Sequence, residues 1–178
     1  ELTKLSIINL LHPFQTFILG QKNIAPKIAA NFDIKLVFYG ENEAEYGNPI
    51  AENNSSLRKK NYFAVKNYNK IYLAGMKISD LVKKHKFSYQ DLKIFLPISN
   101  SEIQKKNVEI HYLGYYLRWI PQEAFYYAVK NTGFSPRPFR TQGTFSKYNS
   151  IDDKIDDLHY YTTFIKFGIG RATYDASQ

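Results

Sequence analysis

Three carboxylates and an amide are clustered in one short segment of this chain, at Glu41, Asn42, Glu43 and Glu45. An apolar, β-branched and aromatic run at 33–39 precedes them. Open α/β sheets bind their ligands just beyond the carboxyl ends of strands, which is where this segment would lie. Close carboxylates repel one another unless a cation or basic group lies among them. The cluster predicts a Mg²⁺ or polar-substrate site, with a solvated loop as the equal alternative.

The rest of the composition excludes several kinds of chemistry. The 178 residues include no cysteine, which excludes disulfides, thiolate zinc sites and cysteine nucleophiles. The four histidines form no paired metal-binding motif, and no Ser-His-Asp spacing is present, so a zinc enzyme or serine hydrolase has little support. We expect His12, His111 and His159 to serve packing and His85 to be solvated.

The net charge of +8 is concentrated in the middle of the chain, where residues 51–150 hold 17 Lys and Arg against 6 Asp and Glu. Short basic runs at 58–60, 83–86 and 105–106 are typical of solvated helix faces or loops. The surplus leaves one alternative open, a non-catalytic basic module that binds RNA or another anion.

The elements that would position the acidic segment are a helix and a strand. Residues 23–32 predict a helix with Asn23 as its N-cap and Pro26 in its first turn. Residues 33–40 predict a buried strand, and 41–54 a loop rich in turn-forming residues. Helix followed by buried strand is typical of an α/β fold.

The remaining sequence alternates in the same way. Ser79 and Ser88 predict caps of two short helices, and Pro121 predicts the start of a helix that runs to 129. Ser150 predicts the cap of a long amphipathic helix that Gly168 ends. A strand is expected at 108–119 and an ordered basic loop at 135–148. Helical patterns at both ends of the sequence suggest a piece of a longer protein.

No apolar run approaches the roughly 18–20 residues that cross a bilayer, and the first residues lack the features of a signal peptide. We therefore expect a cytoplasmic protein without a membrane partner.

Several motifs together resemble the N-acetyl sugar amidotransferase family, in particular its members in pseudaminic acid biosynthesis and flagellin modification. The resemblance covers nearly the whole chain and is carried by the residues at 12–15, 20–23, 40–48, 112–116, 119–123, 143–144, 148–150, 152–154 and 166–173. It implies a protein of the PP-loop ATP pyrophosphatase superfamily. Residues 1–55 would be the C-terminal part of a Rossmann-like PP-loop α/β domain, and 56–178 a mostly helical substrate-side region packed with it.

The resemblance also implies an activity and its partners. The family is expected to use ATP and ammonia to convert the N-acetyl group of a nonulosonic-acid sugar into an acetamidino group, with ammonia delivered by a glutaminase partner. The family's ATP-binding Ser-Gly-Gly-Lys-Asp-Ser loop and cysteine pairs are absent from this sequence. We therefore expect the isolated chain to bind ATP weakly and to be inactive alone.

Residue roles follow from the same resemblance. Glu41, Asn42 and Glu45 are the catalytic candidates, and Glu41 and Glu45 are also the candidate Mg²⁺ ligands. The candidate substrate-binding residues are Gln21, Lys22, Tyr46 and Arg171. The acidic residues Asp152, Asp153, Asp156 and Asp157 match the family motif, but we interpret them as ordinary capping at the start of a helix.

Overall fold

The computed structural model describes residues 1–40 and 54–172, which form a mixed α/β protein. By their internal contacts the residues fall into two compact units. One is Thr16–Trp119, and the other combines Glu1–Gln15 with Ile120–Gln178. The expected functional regions 1–55 and 56–178 stay a prediction.

Helices and short strands alternate along the described residues. The helices are α1 Leu2–Leu10, α2 Gln15–Asn31, α3 Ile78–His85, α4 Tyr89–Leu92, α5 Asn100–Lys106, α6 Pro121–Asn131 and α7 Ile155–Phe167. The strands are β1 Leu36–Tyr39, β2 Ala64–Val65, β3 Tyr72–Leu73, β4 Met76–Lys77, β5 Ile98–Ser99 and β6 Glu109–Tyr112. No described helix is both long enough and apolar enough to span a membrane.

A parallel pair of strands organises the unit Thr16–Trp119. β1 pairs with β6 in a register that joins Leu36 to Glu109 and Tyr39 to Tyr112. The segment after Asn54 then lies antiparallel along β6, since the Tyr112 N–H donates to the Ser56 carbonyl over 3.2 Å. The chain therefore leaves β1 at its carboxyl end, and the described part that resumes at Asn54 lies beside the carboxyl end of β6.

One face of this sheet holds the core. Ala29 and Ala30 of α2 pack with Ile110 and with Phe63, which is fully buried. On the opposite face, Phe38 remains 48% exposed. The strand predicted at 33–40 is thus shorter than expected and buried on one face only, because α2 covers only that side.

The start predicted for the helix at Asn23 is wrong, since α2 begins at Gln15 and carries Asn23 in its interior. The Asn23 side chain is buried, and its Nδ2 donates to the carbonyl of Phe95 over 2.7 Å. A partner 72 residues away therefore satisfies the amide that would otherwise favour a cap.

Other predicted boundaries differ in similar ways. α3 begins at Ile78 with Lys77 as N-cap, so Ser79 is not a cap, whereas the Ser88 cap is confirmed as a capping box with Asp91. The strand predicted at 108–119 is limited to β6 and ends in a 3₁₀ turn at Leu113–Tyr115. The helix from Pro121 is confirmed and continues to Asn131.

In the second unit, α7 begins four residues later than predicted, at Ile155 with Lys154 as its N-cap. Ser150 has a positive φ of 51° and its hydroxyl lies 2.7 Å from the Tyr160 hydroxyl, so it is not the cap. A carboxylate oxygen of Asp153 accepts the N–H of Ile155 over 2.8 Å instead. The stop at Gly168 is confirmed by its left-handed φ of 70°. The ordered loop at 135–148 is also confirmed, because it has backbone hydrogen bonds but no helix or strand.

A histidine pair packs the end of α1 against α7. The His12 and His159 rings stack with centroids 4.9 Å apart, and the Lys166 ammonium donates to the Leu10 carbonyl over 3.1 Å. Burial, His159 and Lys166 together lower the pKa of His12 to about 4. Burial also lowers the pKa of His159, and Lys166 adds to this effect while Asp156 opposes it. His12 therefore stays neutral in the folded unit at mildly acidic pH.

The histidine pair predicts a loss of stability in acid. An unfolded histidine binds its proton near its ordinary pKa of 6.5, whereas folded His12 does so only near 4. The stability that depends on neutral His12 is complete above about pH 6.5 and is lost as the pH falls toward about 4. Thermal unfolding measured over this range should show a falling midpoint, and His12→Phe should flatten the fall by keeping a ring without a titrating nitrogen. A His85→Gln variant is the matched control, and an equal flattening there would contradict the assignment.

Candidate functional site

A proline inside α2 fixes how that helix meets β1. Pro26 has no N–H to donate to the carbonyl of Lys22, one helical turn earlier, and its ring pushes that carbonyl away from the axis. The hydroxyl of Tyr39 donates to the Lys22 carbonyl over 2.7 Å and lies 3.5 Å from the carbonyl of Gln21. The candidate residues Gln21 and Lys22 are thereby held beside the last residue of β1.

Aromatic rings continue from Tyr39 across the carboxyl ends of both strands. The Tyr39 ring stacks on Phe63 and on Tyr112, with centroids 5.7 and 5.6 Å away. We call the hydrogen bond from Tyr39 to the carbonyl that Pro26 leaves without a helical donor the Pro26–Tyr39 clamp. Through its ring, Tyr39 also contacts Tyr112 of the neighbouring strand β6. We call Lys22, Tyr39, Arg58, Tyr62, Phe63 and Tyr112 the carboxyl-edge cluster.

Two cations of this cluster lie over aromatic faces. The Lys22 ammonium is 3.2 Å from the centroid of the Tyr62 ring, and the Arg58 guanidinium is 5.3 Å from that of Tyr112. A ring quadrupole attracts a cation at such distances, by about 0.5–2 kcal/mol according to exposure. Arg58 is only 6% exposed. Both positive charges are therefore positioned at the edge of the sheet and not dispersed into solvent.

A cleft of about 410 Å³ opens beside Arg58. Its lining combines two cations with amides, a hydroxyl and an aromatic ring: Asn54, Ser55, Leu57, Arg58, Lys59, Asn61 and Tyr62. Arginine forms short, charge-assisted and frequently bidentate hydrogen bonds with phosphate and carboxylate groups. The chemistry of the cleft suits an anion.

The predicted catalytic residues belong to the segment that connects Gly40 to this cleft. Glu41, Asn42, Glu45 and Tyr46 lie outside the described residues, so their roles and the Mg²⁺ site at Glu41 and Glu45 stay predictions. Within 1–40 and 54–172, no group of three or more His, Asp or Glu side chains could hold a metal ion.

Arg171 belongs to the other unit, where it follows α7. It lines an open cavity of about 500 Å³ together with Asp157, Tyr161 and Phe164 of that helix. Two acidic residues that we interpreted as capping therefore have different contacts. Asp153, which precedes the N-cap Lys154, accepts the N–H of Ile155, and Asp157 contributes to the cavity wall.

Sequence reasoning missed Arg58 and its aromatic neighbours. The run 58–60 was expected to be solvated, and this is wrong for Arg58, which is buried. Lys60 is half-buried, and its ammonium donates to the Asn107 side chain over 2.7 Å. The ring that Arg58 lies over is that of Tyr112, which is distant in sequence. Near the run itself, Tyr62 was the one aromatic residue that could have indicated a cation held against a ring.

The opposite face of the sheet carries a polar chain. The Tyr116 hydroxyl lies 2.8 Å from Ser56 Oγ and 2.7 Å from His111 Nδ1, and His111 Nε2 is 3.6 Å from a carboxylate oxygen of Glu109. His111, expected to serve packing alone, contacts the Phe38 ring and also fixes the returning segment at Ser56 beside β6.

In comparisons with known proteins, no protein-family model matches the chain, and no curated protein matches it significantly.

The clamp at Pro26 can be tested with a double-mutant cycle. Tyr39→Phe should remove the donor to the Lys22 carbonyl and lower the free energy of unfolding by about 1–3 kcal/mol. Pro26→Ala restores a backbone N–H that can form the missing helical bond, so Tyr39→Phe should cost clearly less in that background. Urea unfolding of the four proteins gives the coupling energy.

The matched control for this cycle is Tyr127→Phe, at a tyrosine that is 68% exposed on α6. Removal of the Tyr127 hydroxyl should change the free energy of unfolding by less than about 0.5 kcal/mol. Strict additivity of Tyr39→Phe and Pro26→Ala would show that the hydroxyl does not replace the helical bond.

Proposed function

We propose that this chain is part of an ATP-dependent amidotransferase that converts the N-acetyl group of a nonulosonic-acid sugar into an acetamidino group. The resemblance in its motifs supports the activity. The single structural observation that supports it is the Pro26 and Tyr39 clamp, which brings Gln21 and Lys22 to the end of β1, where the acidic segment begins.

The reaction replaces an amide oxygen by nitrogen. With Mg-ATP bound, the carbonyl oxygen of the N-acetyl group would bond to the α-phosphorus of ATP, and pyrophosphate would leave. Ammonia would then bond to the carbonyl carbon as the carbon–oxygen bond breaks and the oxygen leaves on AMP. Negative charge develops on phosphate oxygens, so fixed cations lower the barrier. Lys22 and Arg58 are such cations, held over Tyr62 and Tyr112.

The carboxylates have a different task. Glu41 and Glu45 would hold Mg²⁺ or orient ammonia, and Asn42 would position the amide. A glutaminase partner would deliver the ammonia, and the reaction would take place in the cytoplasm.

In this scheme residues 1–55 are the second half of a Rossmann-like PP-loop domain, and 56–178 the substrate side. β1 and β6 come from these two regions and pair in one sheet, which fits regions that share a site.

The decisive experiment follows the oxygen. An N-acetylated nonulosonic acid labelled with ¹⁸O in its acetyl carbonyl is incubated with Mg-ATP, ammonia and the longest native polypeptide that carries this sequence. AMP should gain one ¹⁸O atom, and its release should depend on ammonia. Glu41→Gln and Glu45→Gln should each lower the rate about 100-fold or more.

Glu102→Gln is the control, at an exposed glutamate in the first turn of α5, and should leave the rate unchanged. Unlabelled AMP, or labelled AMP released equally well without ammonia, would refute the amidotransferase.

The alternative of a basic RNA-binding module is supported by the lysines at the end of α3, of which Lys83, Lys84 and Lys86 are exposed. Such a module should bind single-stranded RNA with an affinity that falls steeply as salt rises, by a log–log slope of about −0.7 for each phosphate contacted. Under the amidotransferase proposal, RNA binding measured by fluorescence anisotropy should be negligible at about 0.15 M salt, and replacing these lysines by glutamine should leave AMP release intact. Tight RNA binding that these replacements abolish would favour the module.

A further inference from the structure

The cavity beside α7 has the form of a small-molecule site. Its volume of about 500 Å³ falls in the range of roughly 300–1,000 Å³ that is usual for ligand pockets. Asp157, Tyr161 and Phe164 lie on one face of α7, since residues three, four and seven apart share a face. Arg171 closes the lining after the helix ends. We call this the α7 cavity.

Exposed aromatic rings form part of its wall. Tyr161 is 62% exposed and Phe164 is 57% exposed, although both belong to a helix that packs into the unit through its other face. An aromatic side chain left in contact with water can bury much additional area when a ligand covers it. Flat aromatic rings suit the C–H face of a sugar ring, which is apolar between its hydroxyls.

Glycines keep the walls of the cavity close to these rings. A Cβ atom at Gly143 would lie 3.5 Å from the Cβ of Tyr160, at a φ of +70° that disfavours any side chain. A Cβ atom at Gly170 would lie 3.8 Å from the Cβ of Phe164. Both distances are ordinary van der Waals contacts, so the backbone at these two glycines lies directly against α7.

Opposite charges line the same cavity. Arg171 contributes a guanidinium, and Asp157 contributes a carboxylate whose Oδ1 is buried without a hydrogen-bond partner. Hydrogen bonds to an ionised carboxylate are charge-assisted, so a hydroxyl or amide donor of a ligand in the cavity can bind Asp157. The lining therefore selects a ligand that offers both an anionic group and hydroxyl or amide donors.

We propose that the α7 cavity binds the carboxylate-bearing sugar itself. Arg171 would bind its carboxylate, Asp157 would accept hydrogen bonds from its hydroxyls, and Tyr161 with Phe164 would cover its apolar face. This inference rests on the proposed function, since it names the place where that substrate is held, and it assigns to Asp157 a binding contact beyond helix capping.

The test compares two sugars that share an N-acetyl group. N-acetylneuraminic acid carries the carboxylate, and N-acetylmannosamine lacks it. Calorimetric titration of the wild-type protein should show binding of the acid at least about tenfold tighter than binding of the neutral sugar. Arg171→Gln should abolish this difference by weakening the acid alone, whereas Phe164→Leu should weaken both sugars.

Arg140→Gln is the matched control, because Arg140 is an exposed arginine of the same unit whose guanidinium lies over Phe145. It should leave both affinities unchanged. Thermal unfolding of each variant verifies that the unit is folded. Asp157→Asn tests the cavity independently of Arg171 and should lower the affinity for both sugars. Discrimination that persists in Arg171→Gln, or wild-type protein that binds neither sugar, would overturn the inference.

The oxygen-transfer assay separates this failure from that of the proposed function. Labelled AMP formed with an unchanged KM for sugar in Arg171→Gln would leave the amidotransferase standing and remove the α7 cavity from it. Sugar binding that depends on Arg171, without labelled AMP, would keep the cavity and refute the activity.

Discussion

The hydrogen bond between the Tyr39 hydroxyl and the Lys22 carbonyl is the constraint on which the candidate site depends. Pro26 interrupts the hydrogen bonding of α2 at its middle, where a proline ordinarily costs about 3 kcal/mol. Tyr39, the last residue of β1, supplies the donor that the helix lacks. The helix defect and the strand end therefore compensate each other, and neither α2 nor β1 can shift along the other without losing that bond.

The position of the charges follows from this clamp. With Tyr39 fixed, its ring stacks on Phe63 and Tyr112, and these continue the aromatic surface over which Lys22 and Arg58 lie. Aromatic faces attract a cation through the ring quadrupole. The edge of the sheet therefore holds two positive charges at defined positions.

The sequence predicted those features whose causes are local. The cap at Ser88, the helix start at Pro121 and the stop at Gly168 each depend on neighbours within a few residues, and all three are confirmed. Asn23 resembles a cap only because its partner, the Phe95 carbonyl, is distant in sequence. Arg58 was missed for the same reason, since the Tyr112 ring that holds it belongs to another strand. Likewise Asp157 has the residue type of a capping group, and only the fold places it in a cavity wall with Arg171.

The same geometry bears on how three close carboxylates can be tolerated at 41–45. The segment begins directly after Tyr39 and is followed by Asn54, which lines the cleft beside Arg58. Lys22 and Arg58 thus border the two described ends of the segment. Under the proposed function, cations near these two ends would offset part of the repulsion among the carboxylates. Mg²⁺ usually binds through one or two carboxylates together with the phosphates of a substrate. In the proposed amidotransferase, Mg²⁺ would therefore enter together with the nucleotide, with Glu41 and Glu45 supplying the protein's ligands.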